Sequence, residues 1–333
     1  MLKEVEMVFC QGQTDTEDLV SCRLMKALEE SVKRNLAEGI LLSGGLDTSI
    51  LAYLGSKWTK LKAFTVALQG APAPDVDFAT LVANHLQLEH LIHYFDRDEL
   101  YDAIRIVVKA MDSFDPMEIR NSVTVYIGLR CAKENGVNTI MTGDGCDELF
   151  AGYNFLFELD EETLNLELQK LWEVMSFSSV RLGNVLKMEV KLPYLDPEFK
   201  EFAMELQPTL KVREERGQRW GKWILRKAFE NLLPGRIVWR PKTPIELGSG
   251  TFTLTHLFEE TISDSEFSQK RERYLKEDKV AIRDKEQLFY YEVYKSILGV
   301  PHPTDPKGKV CPGCNSNLPS RSSYCRRCGA YPV

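Results

Sequence analysis

The amino-acid sequence predicts an α/β fold, a doubly wound parallel sheet that gives way to a helical C-terminal part and a small cysteine-rich module. Three observations carry this reading. Short apolar runs alternate with helix-periodic segments between residues 39 and 141, at a spacing that suits β-α-β crossovers. Two of those runs stop at glycine turns, Gly44-Gly45 and Gly143-Asp144-Gly145. Beyond about residue 150 helical periodicity takes over, until a proline-rich stretch and four closely spaced cysteines end the sequence.

Residues 1–13 show no pattern. Thr14 and Glu17 form a candidate capping box, and Leu19, Val20, Leu24, Ala27, Leu28 and Val32 then recur at helical spacing to about Leu36. Residues 39–42 read as the first strand, and 48–57 as the helix after its glycine turn. Residues 61–68 read as a second strand, 69–74 as a Pro/Gly loop and 75–86 as a helix. A third strand at 90–95 precedes a helix at 98–111, which the stretch 113–116 breaks. Residues 118–135 are helical again, closed by Asn135-Gly136, and 137–141 form a short buried strand. Ligands of such sheets bind outside the C-terminal strand ends, so the two glycine turns are expected at one edge. From 151 to 298 the pattern is helical, with interruptions at 191–197, 233–235 and 241–250. The proline-rich stretch 299–308 marks a boundary between an α/β domain, 1–306, and a module at 307–333.

Of the 333 residues, 44% are hydrophobic and 27% charged, an ordinary globular composition. No apolar run reaches the length of a membrane span and the charged start lacks a signal segment, so a cytoplasmic protein without membrane contact is expected. The net charge of −7 is uneven. Residues 307–333 carry Lys307, Lys309, Arg321, Arg326 and Arg327 without an acid, which leaves −12 for residues 1–306. An acidic body does not suit broad nucleic-acid binding, while the basic tail leaves contact with RNA or an acidic partner open beside a solvated module with no charged partner. Cys10, Cys22, Cys131 and Cys146 are scattered, which does not suit a disulfide framework.

The strand–glycine turn–helix at 39–57 has the plan of an anion-binding loop, since a helix start presents unpaired N–H groups and a positive dipole end. Ser43, Thr48 and Ser49 add hydroxyls. Asp47 would repel a phosphate unless a cation lay between them, which points to a magnesium–phosphate ligand; the alternative is a turn with a capping Asp. Asp144, Asp147 and Glu148 crowd the second glycine turn and need a shared cation, or else form an acidic loop at a helix start. Cys311-Pro-Gly-Cys314 and Cys325-Arg-Arg-Cys328 are two knuckles that fit tetrahedral zinc, hence a zinc ribbon; iron and disulfides are the alternatives.

SGGLDTS at 43–49 with TGDGCDELFAGY at 142–153 resembles the synthetase domain of the asparagine synthetase family, among the PP-loop ATP pyrophosphatases with their adenine-nucleotide α-hydrolase-like sheet. AFTV at 63–66, DVDFATLVANHLQLEH at 75–90, IRNS at 119–122, EVKLPYLD at 189–196, WRPKTP at 239–244 and KEQLFYYEVY at 285–294 agree, so the resemblance covers about residues 15–300. It implies that ATP activates a carboxylate as an acyl-adenylate and that ammonia or an amine then attacks the carbonyl. Leu42, Val66 and Gly143 would contact the adenosine through their backbone, with Thr142 in the same nucleotide-binding set. Ser43, Gly44, Gly45, Thr48 and Ser49 would cradle the pyrophosphate, and Asp47 and Asp147 would hold magnesium. The resemblance gives Lys242 the departing phosphates, places Arg120 near the substrate and links Asp144 to the incoming amine.

Departures from the family pattern bear on the chemistry. Only some 40 residues precede the glycine loop, too few for the family's glutaminase domain with its N-terminal Cys. Ammonia is therefore expected free or from a separate glutaminase chain, unless the nucleophile is another amine. Relatives that close β-lactam rings carry Tyr where Asp144 stands, which argues against that chemistry. Lys187 and Lys191 replace a usual Gly and Arg, and Cys146 replaces a small residue, as a buried hydrophobe or a sulfur carrier. The expected function is an AMP-forming carbon–nitrogen ligase of asparagine biosynthesis, acting on aspartate or a similar acid. The alternatives are a PP-loop RNA-modifying enzyme, such as one thiolating tRNA with the ribbon on RNA, and a non-catalytic ATP-binding module, which Asp47, Asp147 and Lys242 oppose. A homo-oligomer stays open.

Overall fold

The computed structural model describes residues 16–320 and 322–333. Thr14 of the candidate capping box lies outside the described residues; the helix it would cap, α1, runs Thr16–Arg34. The expected alternation follows: β1 (Gly39–Leu41), α2 (Leu46–Ser56), β2 (Lys62–Leu68), α3 (Asp75–Leu86), β3 (Glu89–Phe95), α4 (Arg97–Met111), α5 (Pro116–Glu134) and β4 (Thr139–Met141). A fifth strand, β5 (Glu189–Lys191), completes a parallel sheet in the order β3-β2-β1-β4-β5. The sequence reading missed β5 because three residues with two charges carry no strand periodicity.

Alternation along the strands divides the core into two layers. Phe64, Val66, Leu68 and Ile140 pack with α4, α5 and the helix Lys285–Leu298, whereas Ile40, Leu42, Ala63 and Met141 pack with α1, α2 and α3. The chain order reverses between β2 and β4, which flank β1. β1 is short: its last pairing with β2 is Leu41 to Phe64, so β2 runs on past its end. That overhang and the glycine turn after β4 leave a crevice above β1, at the topological switch point.

Between β4 and the proline-rich stretch the chain is otherwise mainly helical, with β5 and an antiparallel hairpin, β6 (Val212–Glu215) and β7 (Gln218–Gly221), turned by Arg216-Gly217 with φ of +55° and +79°. Its charged strands hid it in the sequence. Cys22 is disulfide-bonded, contrary to the expectation of free cysteines.

The cysteine-rich module packs against the rest of the chain. Its four sulfurs share an apolar cluster with Phe95, Phe114 and Tyr291. Two of its cations reach the rest of the chain: the Arg327 guanidinium pairs with Asp112 and Arg326 donates to the Val174 carbonyl, whereas the exposed Lys309 donates within the module to the carbonyls of Ser322 and Val333 at 2.8 Å each.

Candidate active site

The two glycine turns meet in the crevice. A Cβ on Gly143 would lie 3.1 Å from both Asp47 Cβ and Thr48 Cγ2, so only glycine leaves the space between the loops open. Gly44 takes φ +67° and its backbone presses on α3, where a Cβ would come within 2.3 Å of Ala79 N. Gly45 caps α2 without a side-chain hydrogen bond, so the helix start faces the crevice with Asp47 in its first turn. The Ser43 hydroxyl accepts the Gly45 N–H at 3.2 Å and meets the Thr48 hydroxyl at 3.2 Å.

The cavity measures about 210 Å³. Of the residues the sequence pointed to, Leu42, Ser43, Gly45, Asp47, Thr48, Val66, Thr142, Gly143, Asp144, Asp147 and Lys242 line it together. Gly44 and Ser49 stand behind the wall; Ser49 is fully buried and donates to the Gly45 carbonyl at 2.7 Å. Arg120 lies off the wall, where it donates to Thr255 Oγ1 at 2.7 Å and pairs with Glu286 at 3.3 Å.

At the centre is a cation that the sequence reading missed. Lys222 Nζ lies 2.7 and 2.6 Å from the two oxygens of Asp47 and 2.6 Å from Asp147 Oδ1, with the lysine side chain 5% exposed. The Lys242 ammonium pairs with the other oxygen of Asp147. Burial alone would raise the Asp147 carboxyl, but Lys222 and Lys242 outweigh it and hold it well below the usual range. Burial would likewise lower the Lys222 ammonium, and Asp147 and Asp47 raise it instead. Lys222 adopts φ +56° at the start of the helix Trp223–Phe229, a strained setting for a non-glycine residue. Its signal in the sequence is a single cation inside the apolar run Trp220 to Leu225.

Arg240 is a second unforeseen member. It donates to the Ser43 carbonyl at 3.0 Å and to Asp75 Oδ1 at 2.6 Å, and stacks 3.9 Å over the Phe78 ring. It thus ties the glycine loop to α3. Asp144 accepts hydrogen bonds from Thr142 at 3.0 Å and from the Ser179 hydroxyl; burial raises its carboxyl, partly offset by those two donors. Cys146 is fully buried below the loops and burial keeps its thiol protonated, which does not suit a sulfur carrier.

The donor set fits a magnesium nucleotide. Asp47 and Asp147 offer hard carboxylate oxygens from two loops that converge on one point beside the α2 start. The uncapped α2 start, Lys222 and Lys242 supply the positive surroundings that phosphates require.

The asparagine synthase family model matches residues 23–180 and 161–289, two overlapping segments that include every residue of this crevice. The chain belongs to the asparagine synthase family. Asparagine synthetase B [glutamine-hydrolyzing] of Escherichia coli (strain K12) is 31% identical over 309 residues, 84% of this chain and 54% of that protein. The probable asparagine synthetase [glutamine-hydrolyzing] of Dictyostelium discoideum is 31% identical over 321 residues, 86% of this chain and 57% of that protein. This asparagine synthase family member thus spans about half the length of the curated relatives it matches. Among solved structures, NMN synthetase from Francisella tularensis aligns over 88% of this chain and 100% of that one, at 14% identity and a TM-score of 0.38.

In the C-terminal module, Cys311, Cys314, Cys325 and Cys328 bring four buried sulfurs within 4.8 Å of one another. Cys311 and Cys328 sulfurs lie 3.6 Å apart, and those of Cys314 and Cys325 3.7 Å. A tetrahedron with 2.3 Å zinc–sulfur arms has edges of about 3.8 Å, so the cluster fits zinc. Among the described residues no helix is long and apolar enough to cross a membrane.

Proposed function

We propose that this chain uses ATP to activate the carboxylate of aspartate or a similar acid as an acyl-adenylate, releasing pyrophosphate, and transfers the acyl group to ammonia or an amine. The observation that carries this reading is the convergence of Asp47 and Asp147, from two loops 100 residues apart, on one buried lysine, with Lys242 on the same carboxylate.

Magnesium, held by Asp47 and Asp147, would screen the phosphates and make pyrophosphate a better leaving group. The α2 start, Ser43 and Thr48 bind the β- and γ-phosphates, and Lys242 and Lys222 balance the charge that grows on them as the α–β bond breaks. Leu42, Val66 and Gly143 form the adenosine side of the crevice. Asp144 would take a proton from the attacking amine, a role supported by its position on the cavity wall, its raised carboxyl and its two hydroxyl donors. Zinc in the four-cysteine site is structural in this reading, since four thiolates leave no open position.

Protein incubated with ATP, magnesium, aspartate and ammonium is expected to release AMP and pyrophosphate in equal amounts. Absence of both across a range of carboxylates and amines defeats the reading, and ADP with phosphate in their place contradicts it.

A further inference from the structure

The module's second knuckle is wedged between the starts of two long helices. On one side, the Arg327 carbonyl accepts the Phe114 N–H at 2.7 Å, the Arg326 carbonyl accepts the Ser113 hydroxyl at 2.9 Å, and the Tyr324 hydroxyl donates to Asp115. These residues form the turn that enters α5. On the other side, the Cys328 carbonyl accepts Gln287 Nε2 at 2.7 Å and Arg283 at 3.2 Å, and the Gly329 carbonyl accepts Arg283 Nη1 at 2.7 Å. These residues lead into the helix Lys285–Leu298. The fit is close: Gly329 sits at φ +74°, and a Cβ there would lie 2.0 Å from Asp115 Oδ1.

About one turn into α5 and at the first turn of the other helix, Arg120 and Glu286 meet at 3.3 Å. Glu286 is 3% exposed and also accepts the hydroxyls of Thr255 and Tyr290 at 2.9 Å each. One and two further turns along α5, Thr124 and Gly128 stand on the cavity wall, and Gly128 abuts Leu41 of β1. The path from the sulfurs to the crevice is thus two helix starts, one ion pair and one helix face.

We propose that the metal-bound knuckle at Cys325 to Cys328 is a clamp that fixes the starts of these two helices, and so positions Arg120 and the α5 wall of the crevice, with Gln287 and Asp115 as its positioning residues. The inference rests on the zinc and ligase readings above. A module of 27 residues has too little core to hold its carbonyls in place without the metal, so loss of zinc releases both helix starts together. Arg327 on Asp112 and Arg326 on the Val174 carbonyl add to the same docking.

The test is hydrogen exchange on the full chain, its zinc content first read by native mass spectrometry, before and after metal removal by a chelator. Peptides over 113–121 and 283–290 should exchange at least tenfold faster without zinc, while those over 46–57 keep their protection. Unchanged exchange at both helix starts overturns the clamp. Gln287→Leu, with zinc retained, should loosen 283–290 and raise KM for the carboxylate more than tenfold with KM for ATP within about twofold. Equal carboxylate KM for variant and wild type overturns the positioning role even if metal removal unfolds the chain. Absence of zinc in the native spectrum defeats the zinc reading and the metal-bound clamp with it; absence of turnover defeats the ligase reading, while the exchange experiment still decides the clamp.

Discussion

Lys222 Nζ bridges Asp47 and Asp147, 2.6 Å from an oxygen of each, and no side chain on either loop separates the two carboxylates from it. Removing one partner of a buried ion pair costs about 3–5 kcal/mol. Lys222→Met leaves two carboxylates facing each other, so its melting temperature should fall by several degrees. Millimolar magnesium should restore more of that loss than it adds to the wild type, because the divalent ion takes the vacated charge. A thermal shift that ignores magnesium in the variant would show that these carboxylates are not a metal site.

Asp47→Asn and Lys242→Ala are each expected to reduce pyrophosphate release at least a hundredfold while circular dichroism stays that of the wild type. One removes a proposed magnesium ligand and the other the charge beside Asp147. Rates within tenfold of the wild type in either variant would place the phosphates elsewhere.

Ser179→Ala should shift the acid limb of the pH–rate profile upward. Burial raises the Asp144 carboxyl, and the hydroxyls of Ser179 and Thr142 draw it back down. Without the Ser179 donor the carboxyl protonates at higher pH, so a base in its ionised form is lost sooner on acidification. A limb that stays in place would remove Asp144 from the proton path.

Lys211 is 1% exposed, its ammonium has no hydrogen-bond partner, and it lies 4.7 Å over the Trp172 ring. Burial pushes it down from 10.5 to about 7. Between those values the unfolded chain binds more protons than the folded one, so this group makes stability rise with pH across that window. Lys211→Met should therefore be more stable than the wild type at pH 6.5, by on the order of a few kcal/mol, and the gap should close towards pH 10. A gap that is constant with pH would mean the ammonium stays charged in the fold.

What the sequence made legible was local. Strand, glycine turn and helix are set by neighbours in the chain, so β1 to β4 and both loops could be read from apolar periodicity and from glycines that let backbones approach. Lys222 and Arg240 were not legible in that way. Their partners Asp47 and Asp75 lie 175 and 165 residues away, and a lone cation in an apolar run gives no sign of which acid it will meet. The family resemblance supplied Arg120 but not Glu286, 166 residues distant, which holds its guanidinium. β5 and the β6–β7 hairpin were missed because short charged strands owe their form to the tertiary partner and not to alternation.

The sulfurs of the cysteine-rich module lie in the same apolar cluster as Phe95, Phe114 and Tyr291. Residues 311–328 therefore close a core whose other members are synthesised earlier. A nascent chain from which these residues have not yet emerged cannot complete that packing. Ending the chain at the proline-rich stretch would open that core and leave Phe114, Gln287 and Arg283 without their acceptors, giving an aggregating product in place of a trimmed domain.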